Sequence, residues 1–249
     1  MKMSKILLVE DNPRYASSAE EYLASRSHFV ALAKDYSQAI DRLTNPEFDG
    51  MITDCFFPEN TGSGNTTLGK ELVRKMAKSD SRERKIIEGL EVLGQYVDLE
   101  DPAMLKYARS LIGTSQERDI SQSAIGMALK QVSKLGKEAA TFIAKETLGR
   151  AYRENRTPKD HYGTLMKAIE DSEANQPLGI LIAERADELG LPFILATSTY
   201  HHDALTQPVQ DYASGKGWRL VDCGPNREDD KASPEFWERA LSELERKLI

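Results

Sequence analysis

Five short apolar runs, which alternate with patterns typical of amphipathic helices except after the third run, constrain the fold of this chain more than any other feature. Runs of this length are typical of strands that are buried on both faces of a sheet. Strands that alternate with helices favour a parallel sheet covered by helices on both sides. The runs are KILLV (5–9), HFVALA (28–33), DGMITD (49–54), LPFILAT (191–197) and WRLVDC (218–223).

A long stretch between the third and fourth runs interrupts this alternation. It opens with the loop-type segment PENTGSGNTT (58–67) and then shows helical patterns without a strand. The helices are expected near 68–79, 83–97, 101–112, 119–153 and 158–173, and the length of the fourth indicates a break within it. Residues 60–176 carry a formal charge of +2 and the rest of the chain carries −9. We therefore predict an α/β domain in two parts, 1–59 and 177–249, interrupted by an all-helical insertion at 60–176.

Composition narrows the classes of function. The formal charge of −7 argues against nucleic acid as the main partner, so we do not expect DNA binding. No stretch approaches the roughly 18 apolar residues of a membrane span, and the first residues show no signal-peptide pattern. With only Cys55 and Cys223, a disulfide framework is not indicated. The expected location is the reducing cytoplasm, away from membranes.

Acidic residues end two of the predicted strands. Glu10 and Asp11 follow the first strand, and Asp54 ends the third. In the flavodoxin-like strand order 2-1-3-4-5 these strands are neighbours about 5 Å apart, and ligands bind beyond their carboxyl ends. Three carboxylates so close repel one another unless a cation binds, and hard oxygen ligands suit Mg²⁺. The alternative is that Glu10 and Asp11 only stabilise the start of the first helix.

Three motifs together resemble the receiver domain of two-component response regulators. ILLVEDN (6–12) is similar to the acid pair at the end of that family's first strand. DCFFP (54–58) is similar to its phosphoacceptor aspartate, which a proline follows four residues later. LPFILATS (191–198) is similar to its fourth strand, which ends in a switch hydroxyl, here Thr197. The resemblance covers residues 4–58 and 177–249, about half of the chain.

The resemblance implies a function. Asp54 would accept a phosphoryl group from a sensor histidine kinase or a phosphotransfer protein. Mg²⁺ would be held by Asp11, Asp54 and the backbone carbonyl of Phe56, with Glu10 acting through a water. Thr197 would hydrogen-bond the phosphoryl group, and the insertion would serve as the output or as a surface for a protein partner. Enzymatic activity would be limited to self-phosphorylation and self-dephosphorylation on Asp54.

The chain departs from the family at the end of the fifth strand. The family has Lys-Pro there, whereas this chain has Asp222 and no lysine between residues 217 and 230. Lys216 and Lys231 are conceivable substitutes, and the sequence favours neither. Trp218 matches the family's switch aromatic only loosely. This departure leaves a second hypothesis open, a receiver-like interaction module that phosphorylation does not switch.

Other motifs point to other functions more weakly. GNTTLGKE (64–71) nearly fits a phosphate-binding P-loop, but it has Glu71 in place of a hydroxyl and no strand directly before it. A phosphatase with an aspartyl nucleophile would want a second aspartate where Phe56 stands. ERDISQSAIGMALKQVSKLGKE (117–138) is faintly similar to a helix–turn–helix, although its lysines also fit a solvated helix face. His201 and His202 lack the further ligands of a zinc site.

Overall fold

One five-stranded parallel sheet organises the chain, in the order β2-β1-β3-β4-β5. In this computed structural model the described residues are 3–44, 47–80, 89–114, 124–153, 161–225 and 227–248. The strands are β1 (Lys5–Val9), β2 (Phe29–Ala33), β3 (Gly50–Asp54), β4 (Phe193–Thr197) and β5 (Leu220–Asp222). The prediction of a flavodoxin-like α/β fold is confirmed.

Helices connect the strands. They also form the long segment between β3 and β4, hereafter called the excursion. They are α1 (Pro13–Ser25), α2 (Tyr36–Thr44), α3 (Thr67–Ser79), α4 (Pro102–Thr114), α5 (Ala124–Val132), α6 (Lys137–Arg153), α7 (His161–Asp171), α8 (Gly179–Glu188), α9 (Gln207–Gly215) and α10 (Pro234–Glu245). Residues 89–94 are also helical, and short 3₁₀ helices cover Ser133–Leu135, Glu173–Asn175 and Glu228–Ala232. Turns and a bend occupy residues 201–206 between β4 and α9, so α9 begins at Gln207.

Local sequence explains where the helices next to the sheet begin. The Asn12 side chain accepts a hydrogen bond from the Arg14 amide, and Pro13 occupies the first turn of α1. At α10, Ser233 plays the same part by accepting from the Phe236 amide. Both helices therefore start where the cap residues in the sequence indicate.

The strands are apolar on both sides, so each face of the sheet has its own core. Ile6, Leu8 and Ile52 point to one face, where α1 and α10 cover them. The other face is covered by α2, α8 and α9, together with α3 and α7. Residues from α3 and α7 in that core are Leu72, Val73, Met76, Leu165 and Ile169. Two helices that the sequence analysis assigned to the insertion thus help to bury the sheet.

The chain divides into two compact units, residues 1–76 with 160–249 and residues 77–159. The second unit has a small core of its own: Leu93, Val97, Met104, Ala108, Leu129 and Ala144. Its described residues contain helices and no strand. The break expected within 119–153 lies at the 3₁₀ turn and Gly136, whose φ is 106°. Residues 81–88, 115–123 and 154–160, where several predicted helix ends fall, lie outside the described part of the chain.

None of the helices in the described residues is long and apolar enough to cross a bilayer.

Candidate functional site

The carboxyl edge of the sheet gathers the three acidic residues that the sequence singles out. Val9 pairs with Thr53 in the β1–β3 ladder, so Glu10 and Asp54 come next to each other one residue further on. Each of Glu10, Asp11 and Asp54 offers a ligand atom within 4.8 Å of the others. In the described part of the chain this is the one group of acidic, histidine or cysteine residues that could hold a metal ion.

A lysine that the sequence analysis did not favour lies against two of these carboxylates. The Lys231 Nζ is 2.6 Å from Glu10 Oε2 and 2.9 Å from Asp54 Oδ2. It is also 3.5 Å from the backbone oxygen of Ala196, and the whole residue is shielded from solvent. A buried ammonium therefore lies against Glu10 and Asp54, where the sequence alone predicts a bound metal ion.

Contacts with α1 hold the segment that carries Lys231. This segment is the 3₁₀ helix Glu228–Ala232 in the β5–α10 loop. Arg14 binds Asp229 with 2.6 Å between the charged atoms, and the Ser18 hydroxyl donates to the backbone oxygen of Ala232 at 2.7 Å. The lysine is thus positioned by tertiary contacts on both sides of it rather than by a strand.

The charges at this edge are only partly balanced. Three carboxylates and one ammonium carry a formal charge of −2. Burial raises the pKa of Glu10, while Lys231 opposes that shift. Burial and the neighbouring Asp54 raise the pKa of Asp11 to about 7. Burial alone would lower the pKa of Lys231, but Asp54 and Glu10 outweigh it and raise that pKa, so the lysine stays charged. The site still favours additional positive charge.

The loop after β3 fixes the backbone around Asp54. Asp54 Oδ1 accepts a hydrogen bond from the Cys55 amide at 2.6 Å, and the Cys55 carbonyl accepts one from the Gly179 amide at 3.1 Å. A Cβ atom on Gly179 would lie 2.0 Å from the backbone oxygen of Asp54, so only glycine fits where α8 begins. Phe56 lies two residues beyond Asp54 in this loop, and the role of its carbonyl as a metal ligand stays a prediction.

Thr197 lies at the end of β4, one residue beyond the position that pairs with Asp54. It is buried, and its hydroxyl lies 2.9 Å from that of Thr199, which in turn hydrogen-bonds the hydroxyl of Thr206. Its role as a switch hydroxyl stays a prediction. The hydroxyl chain connects Thr197 to the loop that precedes α9.

Asp222 at the end of β5 pairs with that same loop rather than facing only solvent. Its Oδ2 accepts from the backbone amide of His201 at 2.9 Å and lies 2.8 Å from the His201 Nδ1. His201 and His202 therefore lie in a turn before α9. Neither belongs to the acidic group that could hold a metal ion.

The other candidates lie away from this edge or have other partners. Lys216 and Trp218 precede β5 and so lie at the amino end of that strand, with Trp218 packed edge-on against Phe193 at 5.4 Å. In the P-loop-like segment, Lys70 pairs with Glu170 at 3.4 Å. The amide of Gly64 donates to the carboxylate of Glu173. An acidic side chain thus takes the place where a P-loop would hold phosphate.

Comparison with known protein families and with curated proteins finds no family model and no relative that matches this chain. What the fold and the site define is a flavodoxin-like α/β protein with an acidic cluster, and a buried lysine beside it, at the β1–β3 edge. Its function is inferred from that geometry.

Proposed function

We propose that this chain is a receiver-type phosphoacceptor protein of a two-component phosphorelay, phosphorylated on Asp54 in a Mg²⁺-dependent reaction. The observation that carries the proposal is the contact of the buried Lys231 ammonium with Asp54, beside Glu10 and Asp11. The sequence lacks a lysine at the end of β5, and this contact supplies the missing positive charge from another position. The strand order and the acidic cluster support the same assignment.

The residues at the site fit a magnesium ion. Their donors are hard carboxylate oxygens, and their formal charge with Lys231 is −2, which a divalent cation balances. Asp11, Asp54 and the Phe56 carbonyl would hold the ion. Glu10, which Lys231 already contacts, would act through a water. When bound, Mg²⁺ would neutralise charge that builds up on the transferring phosphoryl oxygens.

The chain's own residues would carry out the transfer. An oxygen of Asp54 forms a bond to phosphorus while the phosphorus–nitrogen bond to the partner's histidine breaks, and the departing imidazole takes up a proton from water. The Asp54 side chain is 10% exposed, and a donor would approach it through that exposed part. Phosphoryl transfer depends mainly on positioning and charge, and Lys231 lies where it can donate to a phosphoryl oxygen attached to Asp54.

A route for the response starts at Thr197. Its hydroxyl would exchange the Thr199 partner for a phosphoryl oxygen, because phosphorylation adds strong hydrogen-bond acceptors. Thr199 also bonds Thr206, so the loop before α9 would change with it. The helical insertion would provide the output or the surface for a protein partner.

One observation favours a second candidate, an interaction module that phosphorylation does not switch. Lys231 already pairs closely with Glu10 and Asp54 and is fully buried, as in an ion pair that serves the fold alone. In that case Lys231 would serve only to offset part of the buried negative charge, and the site would accept no phosphoryl group.

A phosphorylation assay separates the two candidates. The protein is incubated with Mg²⁺ and a small acyl phosphate, and its intact mass is measured. We expect an added phosphoryl mass that Asp54→Asn abolishes and that chelation of the metal prevents. Asp222→Asn is the matched control, because Asp222 pairs with His201 and should leave the labelling unchanged. A folded wild-type protein that gains no phosphoryl mass would support the interaction module instead.

A further inference from the structure

Gln176 joins the two segments of chain through which the long excursion leaves and returns. It is fully buried and lies between the 3₁₀ helix Glu173–Asn175 and α8. Its Oε1 accepts a hydrogen bond from the Gly69 amide at 3.0 Å. Its Nε2 donates to the backbone oxygens of Asn65 at 2.9 Å and Glu173 at 3.1 Å. This one side chain therefore fastens residues 65–69 to residues 173–176.

Gln176 packs so closely against Gly69 that no larger side chain fits at position 69. Gly69 lies in the first turn of α3, where a backbone amide has no partner within the helix, and Gln176 supplies that partner. A Cβ atom on Gly69 would lie 2.7 Å from the Gln176 Cγ and 2.8 Å from its Oε1. Any side chain at position 69 would therefore push Gln176 away.

The backbone of Gln176 reaches the loop that carries Asp54. Its carbonyl accepts a hydrogen bond from the Phe57 amide at 3.1 Å. The Phe57 N–H and the Phe56 C=O belong to one planar trans peptide, in which they point in opposite directions. A bond that fixes the N–H therefore also fixes the direction of the carbonyl proposed above as a metal ligand.

We propose that Gln176 is a positioning residue that couples the base of the excursion to the Phe56–Phe57 peptide beside Asp54. Only the binding of a metal by the Phe56 carbonyl depends on the proposed function; the contact between Gln176 and the Phe57 amide does not. Groups that orient a metal ligand from behind contribute to metal affinity. Coupling between two sites is reciprocal, so a cation bound near Asp54 would also strengthen the Gln176–Gly69 contact.

Two substitutions perturb the coupling from different sides, and a third serves as a matched control. Gly69→Ala displaces Gln176 through the steric conflict, and Gln176→Asn shortens the side chain while keeping its amide. Gly215→Ala is the control, because Gly215 also lies in a helix and a Cβ atom there meets nothing within 4 Å. None of the three changes a carboxylate of the site.

The first measurement is amide hydrogen exchange of Phe57 and Gly179 without metal, and the second is calorimetric titration with Mg²⁺. We expect Gly69→Ala and Gln176→Asn each to speed amide exchange at Phe57 and to weaken Mg²⁺ binding by about tenfold. Gly215→Ala should match the wild type in both readouts. Mg²⁺ should slow exchange of the Gly69 amide in the wild-type protein.

Folded Gly69→Ala and Gln176→Asn proteins with wild-type exchange at Phe57 and wild-type Mg²⁺ affinity would overturn the coupling. If Gly69→Ala does not fold, Gln176→Asn alone decides the question. If the wild type binds no Mg²⁺, the proposed function fails, and the exchange rate at Phe57 still decides whether Gln176 holds that peptide.

Discussion

Replacing Lys231 with methionine removes, among the residues that the structure describes, the positive charge that contacts Glu10 and Asp54, while keeping a side chain of similar length. The ammonium is fully buried, 2.6 Å from Glu10 and 2.9 Å from Asp54. Removing one partner of a buried ion pair costs about 3–5 kcal/mol because the remaining charge is uncompensated. Glu10 can take up a proton, since burial raises its pKa, and this limits the cost. We therefore expect the lower end, about 3 kcal/mol.

Thermal unfolding measures this loss. A domain of this size changes its Tm by about 2–4 °C for each kcal/mol, so Lys231→Met should lower the Tm by about 6–12 °C. Adding Glu10→Gln to Lys231→Met should recover part of the loss, because it removes a carboxylate that no longer has a partner. Under the proposed function, labelling by a small acyl phosphate should also slow by about 100-fold, because the charge proposed to stabilise the transferring group is gone.

Lys216→Met is the control for both measurements. Lys216 is exposed, 5.7 Å above the ring of Tyr212, and precedes β5 at the opposite edge of the sheet. It should change neither the Tm nor the labelling rate. If Lys231→Met behaved like Lys216→Met in both assays, Lys231 would not compensate the carboxylates. The proposal that Lys231 takes the role of the missing lysine at the end of β5 would then be wrong.

Two further outcomes follow from the same edge of the sheet. The pKa of Asp11 is raised from 3.8 to about 7, so the stabilisation from its protonated form is present at low pH and is lost as the pH rises through about 7. Thermal unfolding from pH 4 to 8 should show this decline, and Mg²⁺ at pH 8 should reverse it; a Tm that Mg²⁺ leaves unchanged at pH 8 would contradict the proposed ion. Gly179→Ala should lower the free energy of unfolding in urea by about 3 kcal/mol, because its Cβ atom would meet the Asp54 backbone oxygen at 2.0 Å. Gly215→Ala, with open space around it, should stay within about 0.5 kcal/mol of the wild type, and equal stability of the two variants would refute the steric account.

The sheet could be predicted because each strand is apolar on both faces. Ile6 and Leu8 pack on one side while Leu7 and Val9 pack on the other, so the sequence of β1 reads as one continuous apolar run. A pattern of that kind indicates a parallel sheet, and right-handed crossovers then limit the strand order to few choices. The meeting of Glu10 with Asp54 follows from that order.

The lysine of the site could not be predicted from the strand ends. Lys231 is nine residues beyond the end of β5 and is carried there by a 3₁₀ helix. The contacts that hold this helix join Arg14 to Asp229 and Ser18 to Ala232, which are far apart in the sequence, so no local pattern shows them. The topology nevertheless distinguishes the two candidate lysines. The β5–α10 loop lies at the same edge as Asp54, whereas Lys216 precedes β5 and lies at the other edge.

The role of α3 and α7 was also hidden in the sequence. Both show amphipathic patterns, and such a pattern indicates that a helix packs against something without showing what it packs against. In the structure, Leu72 and Met76 of α3 and Leu165 and Ile169 of α7 lie in the core on one face of the sheet. Because their helical pattern is the same as that of the neighbouring segments, the sequence alone assigns α3 and α7 to the insertion.

Their position bears on how the chain could be trimmed. Joining residue 59 directly to residue 177 would remove both helices. Apolar surface on that side of the sheet would then be exposed to solvent, so the trimmed protein should aggregate. An excision confined to residues 77–159 would leave this covering intact. The smallest version of this protein that we expect to fold therefore keeps α3 and α7 together with the sheet and its other covering helices.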